Sequence, residues 1–404
     1  MATADVSPDA RDVTVRRAAV MSVGTLLSRA TGLVRVTVTV SALGFTALSD
    51  AYTTANTTPN ILYELALGGV LTSVFVPLLV DWGTAHGRTA RDDAGSRFLT
   101  LVLVLLSGLV LLGMLFAPAI MGLYLGGVDD PVRKAQELET GTFLLRWFLP
   151  QIVFYGLGAV AGGLLQADRR FAPPMFAPVI NNLAVIVTML VFIAWRDGAA
   201  PSIETVTTPQ LILLGAGTTL GVVGMTLALW PSLRATGFRW HLRFDWAHET
   251  VRRMVRLGRW VVLYVVVNQL ALIAVISLNH RIGAGVFTAY AYAFIFFSLP
   301  HAIVSVSIVT AILTGMAERW SVGDVGGVRD LFSQGLRDTL VLMLPAAAGY
   351  LALAGPIASL FADYGAGAGA EELMAQALAG FALGLPFFSA FQLLTRTFYA
   401  TQDS

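Results

Sequence analysis

The chain contains no cysteine among its 404 residues, which excludes disulfides and thiolate metal sites. Charge is scarce as well. Asp, Glu, Lys and Arg make up 13% of the residues, about half the ~25% usual for a soluble domain, while 56% are hydrophobic. Most of the surface must therefore face something other than water, and lipid fits. A net charge of +1 lacks the concentrated basic excess of a nucleic-acid binder, so nucleic acid is not an expected partner. The five histidines show no metal-ligand spacing, and neither a phosphate-cradling glycine loop nor a Ser/His/Asp constellation is present. No metal site, bound cofactor or enzymatic activity is expected.

What is present is a series of long apolar runs. A bilayer core of ~30 Å needs about 20 mostly apolar helical residues. Ten segments meet that test: 17–44, 51–82, 97–126, 140–166, 172–195, 208–236, 257–281, 285–317, 330–361 and 372–401. Arg29 and Arg35 interrupt the first run, and no small-residue cleavage site follows it, so it reads as a retained helix and not as a leader. With the N-terminus inside, Arg88, Arg91, Arg97, Arg169, Arg170, Arg234, Arg239, Arg243, Arg252, Arg253, Arg319 and Arg329 all fall in inner loops. Outer loops hold Arg133, Lys134, Arg196 and Arg281, among acids such as Asp129, Glu204 and Glu371. This is the positive-inside pattern of a multi-pass cytoplasmic-membrane protein with a cytoplasmic N-terminus.

Prolines punctuate the two halves in the same order. Pro59, Pro118 and Pro150 are separated by 59 and 32 residues; Pro300, Pro356 and Pro386 by 56 and 30. The stretch Leu115–Gly127 also echoes Leu353–Gly365. An offset of six spans preserves direction, which makes the halves parallel repeats. The expected division is a cytoplasmic segment 1–16, a six-helix lobe 17–236, a cytoplasmic linker 237–256, and a partial lobe 257–404 with four helices. On this pattern two further helices belong beyond Ser404. Within 246–259, Val251, Met254 and Val255 oppose Arg252, Arg253 and Arg256. That stretch is either an interfacial helix or an extension of the seventh span.

Charge inside the membrane is costly and marks function. Arg29 and Arg35 lie about 18 and 27 Å of helix rise beyond Arg17. They point some 120° apart, so one can face a cavity while the other holds a neighbouring helix; both can equally be interhelical ion pairs. The second span looks irregular: Asn56, Pro59 and Asn60 interrupt it, and Glu64, Gly68–Gly69 and Pro77 follow. Glu64 is a candidate partner for Arg35 or a cavity-lining charge, and Gly68 and Gly69 read as close packing or a break. Asp50 is the expected helix cap. Asn181, Asn182, Asn268 and Gln269 read mainly as interhelical hydrogen bonders.

Five ordered motifs resemble the MurJ/MviN family of lipid II flippases, in the multidrug/oligosaccharidyl-lipid/polysaccharide exporter superfamily. They are LSRATGLVR (Leu27–Arg35), SDAY (Ser49–Tyr52), PNILYELALGGVLTSVFVPLL (Pro59–Leu79), RRFAPPMFAPVINN (Arg169–Asn182) and FYATQD (Phe398–Asp403). The resemblance implies an all-α polytopic membrane protein with a two-lobe exporter fold and alternating access. It matches Arg29 and Arg35 to essential arginines of the first helix, and Ser28 and Asp50 to a nearby serine and aspartate. The chain departs from the family pattern at Tyr63 and Glu64, where many members carry two arginines, and at Gly68, where they carry glutamate. Phe294 and Ile295 stand where an Asp-Arg pair is usual.

The resemblance implies lipid II as cargo and membrane lipid as surroundings, with cell-wall synthesis proteins as further partners. Arg35 would draw in the diphosphate, supported by Arg29 and Ser28, while Thr57, Asn60 and Glu64 would line the cavity. Asp50, Pro59, Gly68, Gly69 and Pro300 would shape or gate it. Drive would come from a coupling cation, Na or H, or from the membrane potential. Other readings stay open: a drug/cation antiporter or polysaccharide-lipid flippase of the same superfamily, and a non-transporting cell-wall scaffold.

Overall fold

A computed structural model describes residues 8–64, 87–168, 170–196, 198, 200–242, 249–362, 364–367 and 371–401. Among these residues the chain is helical, without strands. The helices are α1 (Pro8–Leu43), α2 (Ala47–Tyr63), α3 (Arg88–Tyr124), α4 (Pro131–Phe148), α5 (Gln151–Ala167), α6 (Ala172–Trp195), α7 (Thr208–Leu227), α8 (Leu229–Arg234) and α9 (Glu249–Ile282). They continue with α10 (Val286–Pro300), α11 (Val306–Ser321), α12 (Val325–Ala362) and α13 (Glu371–Ala400). Nine stretches of the described residues are long and apolar enough to cross a membrane, and α2 is the described part of a tenth segment. Gly68, Gly69 and Pro77, expected to shape that segment, lie outside the described residues.

The contacts divide the chain into Met1–Ala284 and Gly285–Ser404. The seventh span, α9, thus groups with the six before it. It runs unbroken from Glu249, so the basic stretch around Arg252–Arg256 extends that span instead of forming a separate helix.

In the first unit, α1 packs on α6, α6 on α7, and α2 on α4 and α5. Small residues allow close approach: a Cβ on Gly215 of α7 would come within 2.7 Å of the Trp147 Cβ on α4. The turn after α1 needs a left-handed residue, supplied by Gly44 at φ 63°. Thr46 then caps α2: its hydroxyl accepts the Ser49 N–H, and the Ser49 hydroxyl oxygen accepts the Thr46 N–H. This corrects the expected cap. Asp50 sits one position past the capping box, fully buried in the first turn.

The expected interruption of the second span at Asn56, Pro59 and Asn60 is also corrected, because α2 remains helical through all three. Pro59 is buried, and tertiary packing overrides its weak helix propensity. The fourth segment behaves in the opposite way. Leu149–Pro150 form a turn that separates α4 from α5.

A polar clasp joins α3, α5 and the residues after α8. Arg91 donates to Asp168 at 2.7 Å and to Asp92 at 2.8 Å. Arg88 donates to the Thr236 carbonyl, and Trp240 Nε1 donates to Thr100 at 3.2 Å. Arginines read from sequence as loop charges are thus structural ties.

The second unit is built differently. Its α12 and α13 pack along their lengths, with α10 and α11 against them. Phe297, Met343, Ala347 and Leu385 form one core and Val309, Met316, Val328 and Leu393 another. Pro300 ends α10, and His301–Ser305 continue as a π-helical turn before α11 begins. Pro cannot supply the N–H of a regular turn, and wider turns of this kind concentrate at functional positions.

Candidate functional site

The residues singled out on α1 and α2 lie in the first unit, some buried and some open to its surroundings. On α1, Asn182 of α6 donates to the Ser28 carbonyl at 3.0 Å and to the Thr31 hydroxyl at 2.9 Å. The backbone of Ser28, and not its hydroxyl, is therefore what locks α1 to α6. Arg29 is exposed and Arg35 half-buried on the same helix. Among the described residues neither arginine takes part in an ion pair, and Glu64 makes none with Arg35. The expected Arg35–Glu64 pair and the interhelical ion-pair alternative are both absent there.

The pattern of α2 explains how polar groups reach one side. Ala51, Thr54, Ala55, Thr58 and Ile61 are buried, whereas Asn56, Tyr63 and Glu64 are half-buried and Asn60 is exposed. Positions 56, 60, 63 and 64 follow the i, i+4, i+7, i+8 spacing of one helix face. Thr57 is half-buried beside it. The Asn56 side-chain oxygen is buried without a hydrogen-bond partner.

Residues not singled out from the sequence complete this face. The Tyr155 hydroxyl of α5 hydrogen-bonds Asn60 and lies within the electrostatic reach of Arg35. It also donates to Gln151 Oε1 at 3.2 Å, and its ring packs 6.0 Å from that of Tyr63. Gln151, fully buried just after the Pro150 turn, donates to Thr219 at 3.1 Å, and Thr219 donates to the Trp147 carbonyl at 2.8 Å. A chain of hydrogen bonds thus runs from α2 through α5 to α7. The one sequence signal was the Pro-Gln pair at 150–151, since a buried amide after a helix break must find partners.

Pro300, the remaining structural candidate, lies in the second unit, where the surroundings are aromatic. Phe297 packs 5.0 Å from Phe381 and 5.4 Å from Phe388, and Phe294 packs 5.6 Å from Phe297. His301 Nδ1 meets the Ser389 hydroxyl at 3.0 Å. Among the described residues no group of three or more His, Asp and Glu side chains could hold a metal ion.

Membrane-length helices, a polar face on α2 and an arginine near it without an ion pair among the described residues fit one class: a multi-pass helical membrane transporter. The comparisons refine this. The family model for "Lipid II flippase MurJ" matches residues 39–404, and the chain belongs to that family. The lipid II flippase MurJ of Burkholderia cenocepacia is 30% identical over 390 residues, covering 94% of this chain and 72% of the relative. A probable lipid II flippase MurJ of Rickettsia prowazekii is 27% identical over 381 residues, with 94% and 72% covered.

Among solved structures, a lipid II flippase MurJ in an inward closed conformation matches with a TM-score of 0.76 at 22% identity. That match covers 95% of this chain and 76% of the other. An inward-facing multidrug resistance MATE transporter matches at 0.73 and 15% identity, over 92% and 81%. At these identities the likeness is one of fold. Arg29 and Arg35 precede the family-model match, so their assignment rests on geometry and on the motif Leu27–Arg35.

Proposed function

We propose that this chain moves lipid II across the cytoplasmic membrane, from the inner to the outer leaflet, by alternating access. One observation carries the reading. A half-buried guanidinium, Arg35, has no acidic partner among the described residues and stands beside a polar helix face within membrane-spanning segments. An unpaired cation at membrane depth belongs at a water-filled cavity or against an anionic ligand. A diphosphate supplies the oxygen acceptors that a planar guanidinium binds best.

Arg29, exposed two turns earlier on α1, would meet the anion first, near the backbone lock at Ser28. Asn60, Thr57 and Glu64, with Tyr155, would hydrogen-bond the sugar-peptide part. The apolar tail would stay in lipid, while the headgroup avoids the cost of crossing hydrocarbon. Asp50, Pro59, Gly68, Gly69 and Pro300 would shape the moving helices. Membrane potential or a cation gradient, Na or H, would drive the cycle. On the arginine distribution the N-terminus would lie in the cytoplasm, and cell-wall synthesis proteins would be further partners.

The test is lipid II translocation in proteoliposomes. Wild type should move the lipid, and Arg35→Ala should slow it about 10–100-fold, as loss of a charge-assisted hydrogen bond implies. Equal rates would remove Arg35 from the site; no movement by either would favour a scaffold. The aromatic cluster around Phe294 and Phe297 supports a second reading, transport of aromatic cations. Export of such a cation with no lipid II movement would establish it instead.

A further inference from the structure

The last turn of α9 is fastened to the helices before it by a buried polar network. Glu137 of α4 and His280 of α9 are both fully buried. Glu137 Oε2 meets His280 Nδ1 at 2.9 Å, while its Oε1 accepts from Arg133 Nε at 2.5 Å. His280 Nε2 meets the Thr54 hydroxyl of α2 at 2.8 Å, and Arg133 also donates to the His280 carbonyl at 2.9 Å. One turn back, the Ser277 hydroxyl donates to the Leu123 carbonyl at 3.2 Å, at the end of α3. Three helices thus grip a single turn.

Between Val265 and Ile282 few other side chains of α9 are buried within the protein. Only 17% of the residues of Val265–Ile282 are buried, against 61% in the most apolar stretch of Pro131–Ala167. Leu263, Val267, Leu270 and Leu278 are exposed. A turn held this firmly, on a stretch otherwise little buried, can act as a fastening point.

The chemistry of the clamp fits that use. A buried carboxylate persists only while paired, so losing one partner of the network is costly. Each of its groups can instead bond water when opened, which an interdigitated apolar contact cannot do. By the arginine distribution this end faces outward, and the chain passes from it through 283–285 into the second unit.

We infer that Thr54, Arg133, Glu137 and His280 form an outer latch, closed here, which parts when the transporter opens to the outside. This rests on the alternating-access reading above, and the experiment has one arm that does not need transport. A Cβ built on Gly127 lies 3.3 Å from the Arg281 Cβ, next to the latch and close to disulfide spacing. Since the chain has no cysteine, Gly127→Cys with Arg281→Cys supplies the sole thiol pair.

In the first arm the rate of oxidative cross-linking is compared with and without Glu137→Gln in membranes. The latch predicts cross-linking about tenfold slower once the buried pair is broken. An unchanged rate overturns it. Should Glu137→Gln fail to insert, Thr54→Ala carries the same comparison.

In the second arm the oxidised pair should halt lipid II movement, and reduction should restore it. Transport that continues through the cross-link overturns the latch. Absence of transport even in the reduced protein and the wild type counts against the transport reading alone, leaving the first arm to decide on the latch.

Discussion

The two units bury different chemistry. The first encloses Asp50, Arg91, Glu137, Gln151, Asn182 and His280, linked in several places by hydrogen bonds across three or more helices. Among the described residues of the second, the buried polar groups are Thr288, Ser305, Thr339 and Ser389, all uncharged. Its interior is instead a run of aromatic contacts, from Tyr290 on Phe381 to His301 on Phe388. In the first unit directional bonds fix which helices meet; in the second, ring packing does so and tolerates sliding. Phe294, one of the two positions where the family resemblance leads one to expect an Asp-Arg pair, belongs to this division, since it packs on Phe297 and Phe381.

The comparison can be broken most severely at His280. His280→Leu leaves Glu137 Oε2 and the Thr54 hydroxyl buried without their partner while Arg133 still pairs Oε1, and should cost about 3–5 kcal/mol, read as a lower thermal midpoint in detergent. Phe297→Ala removes the centre of the aromatic core and should cost about 3 kcal/mol. If it costs clearly more than His280→Leu, the polar network is not the stronger tie.

Gly215→Ala pushes a methyl group toward Trp147 and should destabilise by about 1–3 kcal/mol. A neutral result in the same melt would show that α4 and α7 can separate freely. Thr46→Ala removes one side of the capping box and should cost about 1 kcal/mol, seen as faster amide exchange at the start of α2.

The smallest effect concerns the loop before α12. The Gly327 backbone N–H, then Arg319, hold the Asp324 carboxyl below its ordinary range. A lowered value means the contribution is present at neutral pH and fades as pH falls below ~4. Acidification should speed amide exchange at residues 325–328, and Asp324→Asn should abolish that pH dependence.

Much of this architecture was legible in the sequence, because membrane length and arginine placement are local properties. The repeated prolines were legible as positions but not as consequences. Pro59 is absorbed within α2, Pro150 separates two helices, Pro300 opens a π turn, and Pro386 lies inside a continuous α13. Neighbouring packing decides among those outcomes.

Asp50 looked like a cap because its residue type favours caps, yet the Thr46–Ser49 pair, spaced as a capping box, took that place. Arg35, Asn60 and Glu64 were findable as charges and amides at membrane depth. Tyr155 was not, and Gln151 only through its place after Pro150, since the partners that matter lie on other helices. The pairing of Glu137 with His280 spans 143 residues and leaves no local trace.

The π turn at His301–Ser305 changes what α10 and α11 can do as one span. A wider turn carries an extra residue, so the helix beyond it is out of phase with the helix before it. Before the slip, Phe297 lies in a core with Met343 and Leu385; after it, Val309 and Met316 lie in one with Val328 and Leu393. Moving that slip by one residue would rotate one of the two cores out of register while leaving the length of the span unchanged.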